Sequence, residues 1–414
     1  MDSKIDSSQY GNEKGISTTH YLVKMVHRIL TILDTNNEKE KNAVIAQLVD
    51  WNKAFDRQDP RLVIESFIQC GVRPTLIPIL MNFYQDRKMT VKWHGLMSST
   101  RDLPGGNPQG CTFGMLGFKA SSNDNAAHVS SDMKYKFVDD LSILEKVNLI
   151  LAGLISFDFT SNVASDIGIN QYLLPSANIS TQKSLDTIQK WTDDNKMKLN
   201  PKKTNIMIFN FTEDHQFTTR LYLQNNLLEV ISETKLLGMI ITSDLKWHKN
   251  TQMLVSKAYA RMIILHKLSK FNPPIEDLVT IYKLYIRSIL EQNCQVWHHA
   301  LTQEDVYSIE RVQKVSCKVI LKSQYQSYDQ ALKDLNLETL LNRRNALSLK
   351  FAKKCVKHPK LNDMFPKNQT SHHHLRTKNV YYVQPAKTSR LLNSAIPQLQ
   401  RSLNRDANES KLKH

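Results

Sequence analysis

From about Asp244 onward, apolar residues recur at helical spacing through four long stretches, 248–270, 275–294, 303–321 and 336–356. The first 245 residues instead mix helix and strand periods. That change of period predicts an α+β part followed by a mostly α-helical part. The expected divisions are a mixed region at 1–245, a helical region at 246–356 and a basic, largely irregular tail at 357–414, with one short helix near 395–403. The 414 residues suffice for two or three packed domains.

Within the mixed region, Ser17-Thr18-Thr19 would cap a helix bearing Leu22, Val26, Ile29, Leu30 and Leu33. The run NAVIAQLVD, 42–50, reads as a buried strand that turns polar at its end. Helices are expected at 60–71 and 74–87, each opened by a proline. MTVKWHG alternates like a strand, GGNP is loop chemistry, and a β-like pair brackets KYKFVDDLSIL. A helix at 180–196 should precede the strand TNIMIFN and a hairpin, TRLYLQNNLLEVI, turning at Asn225-Asn226. The block MLGFKASSNDNAAHVSSDMKY is expected to lack a continuous apolar helix.

The net charge of +16 is unevenly placed. From Lys246 to the end there are 29 Lys and Arg against 12 Asp and Glu, whereas residues 1–245 hold 26 against 27. A basic excess confined to one part suggests a polyanion partner, most simply nucleic acid. Five scattered cysteines include no CxxC pair, which argues against a disulfide framework or zinc site. With no signal-peptide core and no run of roughly 18 apolar residues, the expectation is an intracellular protein of nucleus or cytoplasm, neither secreted nor in a membrane.

The chemistry centres on Asp50, Asp139 and Asp140. Asp139-Asp140 follows the apolar Phe137-Val138, and Asp50 follows the apolar run AQLV. Two divalent ions about 3.5–4 Å apart support phosphoryl transfer to a sugar hydroxyl: one activates the hydroxyl, the other neutralises the leaving pyrophosphate. Such ions take hard oxygen ligands from rigid elements, and a hairpin Asp-Asp pair facing a third Asp meets that need. Alone, an Asp-Asp dipeptide is usually an exposed turn, so the company it keeps decides.

In order, DWNKAFD, GGNPQG, FVDD, LNPKKTNIMIFN and KLLGMIITSDLKW resemble the successive palm motifs of reverse transcriptases. Upstream, QYGNEKGISTTHYL resembles the segment that precedes the palm in retrotransposon enzymes. Downstream, YKLYIRSILEQNCQVWHHALTQEDVYSIERVQKVSCKVIL resembles their helical thumb, and YDQALKDLNLETLLNRRNALSLKFAKKCVKHPK the segment after it. Nearly the whole chain resembles the reverse transcriptase of a non-LTR (LINE-like, jockey-like) retrotransposon. The resemblance implies a right-hand polymerase fold: a palm with partial fingers, a helical thumb and a C-terminal extension. It implies an RNA-directed DNA polymerase that uses two Mg²⁺ ions, or Mn²⁺, with dNTPs, an RNA template and a DNA primer.

By the same resemblance, Asp50 and Asp139 are the principal metal ligands, and Asp140 is more peripheral. Phe55 stands at the steric gate that excludes a 2′-hydroxyl, with an ordinary core ring as the alternative, and Asp56 would cap the following turn. Gln109 and Gly110 would contact the incoming nucleotide; Lys203, or equally Lys202, would approach the triphosphate. Leu237-Gly238 resembles the primer grip, and Trp247 is expected in the thumb core. Arg261, Lys267, Arg311, Lys314 and Lys318 would track the duplex backbone, Arg311, Lys314 and Lys318 lying on one helix face; solvated helix faces are the alternative. His372-His373-His374 reads as solvated.

Only the last piece of the fingers would precede Gln9, and nothing resembles an endonuclease domain. The expectation is therefore an N-terminally truncated copy whose endonuclease, if needed, comes from elsewhere. The competing expectation is a catalytically inactive remnant that retains nucleic-acid binding. A remoter one is a DNA-templated or untemplated polymerase on the same palm.

Overall fold

The computed structural model describes residues 4–35, 40–149, 171–174, 180–212, 216–368 and 379–412. The chain forms two compact units, 1–21 with 35–232, and 22–34 with 233–414. Helix α1 (Thr18–Asp34) spans the division between them in sequence.

The first unit is built on a five-stranded sheet. Strand β1 (Asn42–Val49) lies at its centre, paired along both edges and buried along nearly its whole length. It is followed by α2 (Pro60–Gln69), α3 (Ile77–Tyr84) and two small ladders on exposed chain. These pair β2 (Lys88–Met89) with β5 (Arg101–Asp102), and β3 (Lys92–Trp93) with β4 (Leu96–Met97). Then come α4 (Thr112–Ser121), β6 (Lys134–Phe137), β7 (Asp140–Asn148), β8 (Gln171–Leu174) and α5 (Ser180–Asp194). Strands β9 (Asn205–Phe209), β10 (Gln216–Thr219), β11 (Tyr222–Leu223), β12 (Asn226–Leu227) and β13 (Glu229–Ile231) complete it. The sheet order is β13-β9-β1-β7-β6; only the β13–β9 pair is parallel. Ala43, Ile45 and Ile206 of the sheet share one core with Phe118 of α4 and Leu185 and Ile188 of α5. A second cluster joins Val63, Phe67, Leu80 and Tyr84 to Ala120.

The second unit holds the hairpin of β14 (Glu233–Leu236) and β15 (Met239–Thr242), then helices. These are α6 (His248–Ser269), α7 (Ile275–Ile281), α8 (Ser288–Glu291), α9 (Cys294–Trp297), α10 (Gln303–Leu321), α11 (Tyr328–Asp334), α12 (Leu340–Lys357), α13 (Ser389–Leu392) and α14 (Ala395–Leu412). The helix expected over 275–294 is broken: residues 282–287 widen into a π turn, and Asn293 at φ +51° ends the run. Among the described residues, no helix is long and apolar enough to cross a membrane.

Four local expectations are corrected. Residues 112–121 form a helix, started by Cys111, whose Sγ accepts the Gly114 N–H, so the block expected to lack a continuous helix is helical at its start and not from 122 to 133. The hairpin turn sits at Gln224-Asn225, both left-handed, one residue earlier than Asn225-Asn226. Asp59, not the exposed Asp56, caps α2, accepting the Arg61 N–H at 2.9 Å. The tail is less irregular than expected, since α14 runs to Leu412 and buries Ile396, Leu399 and Leu403. Asp34 also ties it down, accepting the Lys387 and Thr388 N–H groups at 2.9 and 2.8 Å. His372, His373 and His374 lie outside the described residues.

Candidate active site

Strand register brings the three carboxylates to one end of the sheet. β1 and β7 are antiparallel with Val49 opposite Leu141, so the next rung sets Asp50 level with Asp140. β6 and β7 pair Phe137 with Asp140, leaving Val138 and Asp139 as a two-residue turn. Asp50 is held from its other side by the loop before β9. Its N–H donates to Thr204 Oγ1 at 3.1 Å, and its carbonyl accepts the Asn200 N–H at 2.9 Å.

The electrostatics follow from this crowding. Burial, then Asp139 and Asp50, push the Asp140 carboxyl up to about 6. Burial also raises Asp50, and Asp139 adds to it, while Lys203 and a hydrogen bond from Asn200 pull the other way. Asp50 Oδ2 is buried with no hydrogen-bond partner. That acceptor, beside two further carboxylates, is chemically suited to a divalent cation. Among the described residues, no three His, Cys, Asp or Glu side chains are already gathered as a cation cage.

The loop between these motifs is organised by a residue the sequence reading passed over. Asn107 is 3% exposed and bonded on every side. It accepts from Tyr84 Oη at 2.7 Å and donates Nδ2 to Gln58 Oε1 and Gly114 O at 2.8 and 2.7 Å. Its N–H reaches Phe55 O at 2.7 Å. Gly106, at φ +79°, comes so close to Asp56 that a Cβ would stand 3.0 Å from the Asp56 carbonyl oxygen. Gln109 and Gly110 are exposed beyond this anchor. Phe55 is half-buried and stacks on Phe118, centroids 4.8 Å apart. Of the two lysines, both exposed, Lys203 is the one felt by Asp50.

Three Drosophila proteins are similar to most of this chain at low identity. A probable RNA-directed DNA polymerase from transposon BS of Drosophila melanogaster is 25% identical over 346 residues, covering 80% of this chain and 34% of that protein. One from transposon X-element of the same species is 21% identical over 363 residues, covering 84% and 36%. The RNA-directed DNA polymerase from mobile element jockey of Drosophila funebris is 23% identical over 294 residues, covering 68% and 29%. The chain is related to the RNA-directed DNA polymerases of non-LTR retrotransposons. It spans about a third of the length of these relatives. No protein-family model matches it. Among solved structures, apo telomerase from Candida tropicalis aligns at 10% identity with a TM-score of 0.40, covering 87% of this chain and 53% of that one. Telomerase from Candida albicans, bound to a fragment of telomeric RNA, aligns at 11% and 0.37, covering 88% and 55%.

The remaining candidate residues lie in the second unit. Leu236 pairs with Met239, so Leu237 and Gly238 form the hairpin turn, at φ +47° and +84°. A Cβ on Gly238 would meet Gln292 Nε2 at 2.9 Å. Trp247 is core, 5% exposed. Arg261 and Lys267 are exposed on α6, and Arg261 lies over the Tyr285 ring at 5.1 Å. On α10, Arg311, Lys314 and Lys318 share the exposed face because Val312, Gln313, Ser316 and Cys317 fill the other. Gln313 fixes that orientation, accepting from Tyr282 Oη at 2.5 Å and donating to Tyr328 Oη at 2.8 Å.

Proposed function

We propose that the chain is the polymerase part of an RNA-directed DNA polymerase, extending a DNA primer on an RNA template. The observation that carries this reading is the register that puts Asp50 level with the Asp139-Asp140 hairpin, leaving Asp50 Oδ2 buried and unpaired. Asp50 and Asp139 are the proposed ligands of the divalent ions, with Asp140 beside them. Two Mg²⁺ ions, or Mn²⁺, would supply hydroxyl activation and charge neutralisation there.

The chain's own groups account for the rest. Lys203 offsets negative charge at Asp50 and is suited to a triphosphate. Phe55, five residues after Asp50 and half-buried with its ring stacked on Phe118, is the proposed sugar gate. Gln109 and Gly110, exposed past the Asn107 anchor, are accessible to an incoming dNTP. Leu237-Gly238 is proposed as the primer grip. Arg261, Lys267, Arg311, Lys314 and Lys318, all exposed, are proposed phosphate contacts that would hold the duplex without reading its sequence.

The test is extension of oligo(dT) on poly(rA) with dTTP and Mg²⁺, beside the Asp139→Ala, Asp140→Ala double variant. Extension above that control supports the reading. Extension no better than the control rejects the activity, and equal extension on poly(dA) rejects the RNA preference.

A further inference from the structure

The segment Ser8–Gly11 runs beside β6 as far as the turn that carries Asp139. Its backbone is stitched parallel to that strand: Lys136 N–H donates to Ser8 O at 3.0 Å, and Tyr10 N–H to Lys136 O at 2.7 Å. Between them the Gln9 side chain turns inward. The residue is 2% exposed, and its Oε1 accepts from Gly11 N–H at 2.9 Å and from Val138 N–H at 3.3 Å.

Val138 needs such a partner for two reasons. It lies in the turn, outside the ladder that pairs Phe137 with Asp140, so strand pairing does not satisfy its N–H. It is also β-branched and held at φ +58°, a conformation such residues avoid unless their surroundings impose it. Gly11 makes the approach possible. A Cβ there would stand 2.5 Å from Val138 N and 2.8 Å from its Cγ2.

We propose that Gln9 is a positioning residue for the carboxylate site. Its Oε1 holds Val138, and through it the unfavoured turn, in the form that presents Asp139, and Gly11 provides the room. The kinetic consequence rests on the polymerase reading. The hold on the turn does not, because it belongs to the metal-free chain. A merely structural strap would affect stability and leave the site's response to metal and to the residue at 138 unchanged.

The experiment uses the full chain with Gln9→Met, which keeps length and apolar bulk but offers no comparable acceptor, in both the parent and Val138→Gly backgrounds. Amide hydrogen exchange of the peptide 136–141, without metal, is expected to quicken at least ten-fold in Gln9→Met. In primer extension, the Mg²⁺ concentration for half-maximal rate is expected to rise about five- to twenty-fold, with the dTTP KM changed less than two-fold. In the Val138→Gly background both effects should shrink below two-fold, since glycine takes a positive φ without support. Unchanged exchange in Gln9→Met overturns the proposal, as does an effect of equal size in the glycine background. Absence of extension by the parent chain counts against the polymerase reading alone, and the exchange result then decides the role of Gln9.

Discussion

Thr204 Oγ1 accepts the backbone N–H of Asp50 at 3.1 Å, where β1 runs out of strand partners. Thr204 is fully buried, so its loss leaves that donor without water to replace it. Thr204→Val should cost about 1–3 kcal/mol, the usual penalty for an orphaned buried donor. Thr204→Ser should stay within about 1 kcal/mol of the parent, since the acceptor persists. Urea denaturation midpoints measure both.

Asn107 makes four hydrogen bonds. Asn107→Ala would strand Tyr84 Oη, Gln58 and Gly114 O together, and a loss of about 2–4 kcal/mol is expected. Gly117→Ala should act on the same anchor from outside, because its Cβ would lie 2.6 Å from Asn107 Nδ2. The two losses should be clearly non-additive in a double-mutant cycle.

Asp6 bridges Lys134 and Lys136 at 3.0 and 2.9 Å, and all three side chains are largely buried. Although burial opposes it, Lys136 and Lys134 together with the Ser8 N–H hold its carboxyl well below 3.8. A carboxyl depressed in the fold stabilises above its unfolded pKa, and that contribution drains away as pH falls below about 4. Asp6→Asn should therefore lose roughly 3–5 kcal/mol at pH 7, where two buried ammonium groups lose their carboxylate and keep only backbone carbonyl acceptors. The difference from the parent should narrow at pH 2 to 3, as read by thermal melting across pH.

Asp140 has the opposite sign. Its folded pKa is raised to about 6, so the metal-free fold binds that proton more tightly than the unfolded chain. The associated stability is complete below about pH 4 and is lost as pH rises toward 6. Asp140→Asn should raise metal-free stability at pH 7 on the order of 1–3 kcal/mol and flatten the profile between pH 4 and 6. A variant less stable than the parent at pH 7 in EDTA would contradict this.

The charged face of α10 makes a prediction about salt. Replacing Arg311, Lys314 and Lys318 together with alanine should lower the slope of log affinity against log salt for duplex by about 2 to 3. Stability should barely change, because these side chains are exposed. An unchanged slope would place the duplex elsewhere.

Much of this was legible in the residues, for identifiable reasons. NAVIAQLV was readable as a buried strand because all of it but Asn42 and Gln47 is apolar, and its last residue, Val49, is followed directly by Asp50. The exposed stripe of α10 was readable from spacing alone. The helix at 112–121 was missed because its glycines, Gly114 and Gly117, weaken the local pattern. Contact requires them: Cβ atoms there would fall 1.6 Å from Pro108 O and 2.6 Å from Asn107 Nδ2. The roles of Gln9 and Asn107 were invisible for a related reason. Each bonds to backbone or side chains far away in sequence, and no periodicity encodes such a partner. The π turn at 282–287 left no local signature either, since Tyr282 is tied to Gln313 on another helix.

The central place of β1 also dictates when the site can come into being. Its edges are filled by residues 141–148 and 205–209, so the strand that leads to Asp50 has no partner until those segments exist. At the usual 5–20 residues per second of synthesis, the roughly 160 residues separating β1 from β9 take on the order of ten to thirty seconds to appear. Both edges of this largely apolar strand stay open until residues 141–148 follow, and one stays open until 205–209 do, the condition that most invites pairing with another chain. Low expression yield, relieved by slower synthesis or by a chaperone that shields extended apolar segments, is the practical signature of this topology.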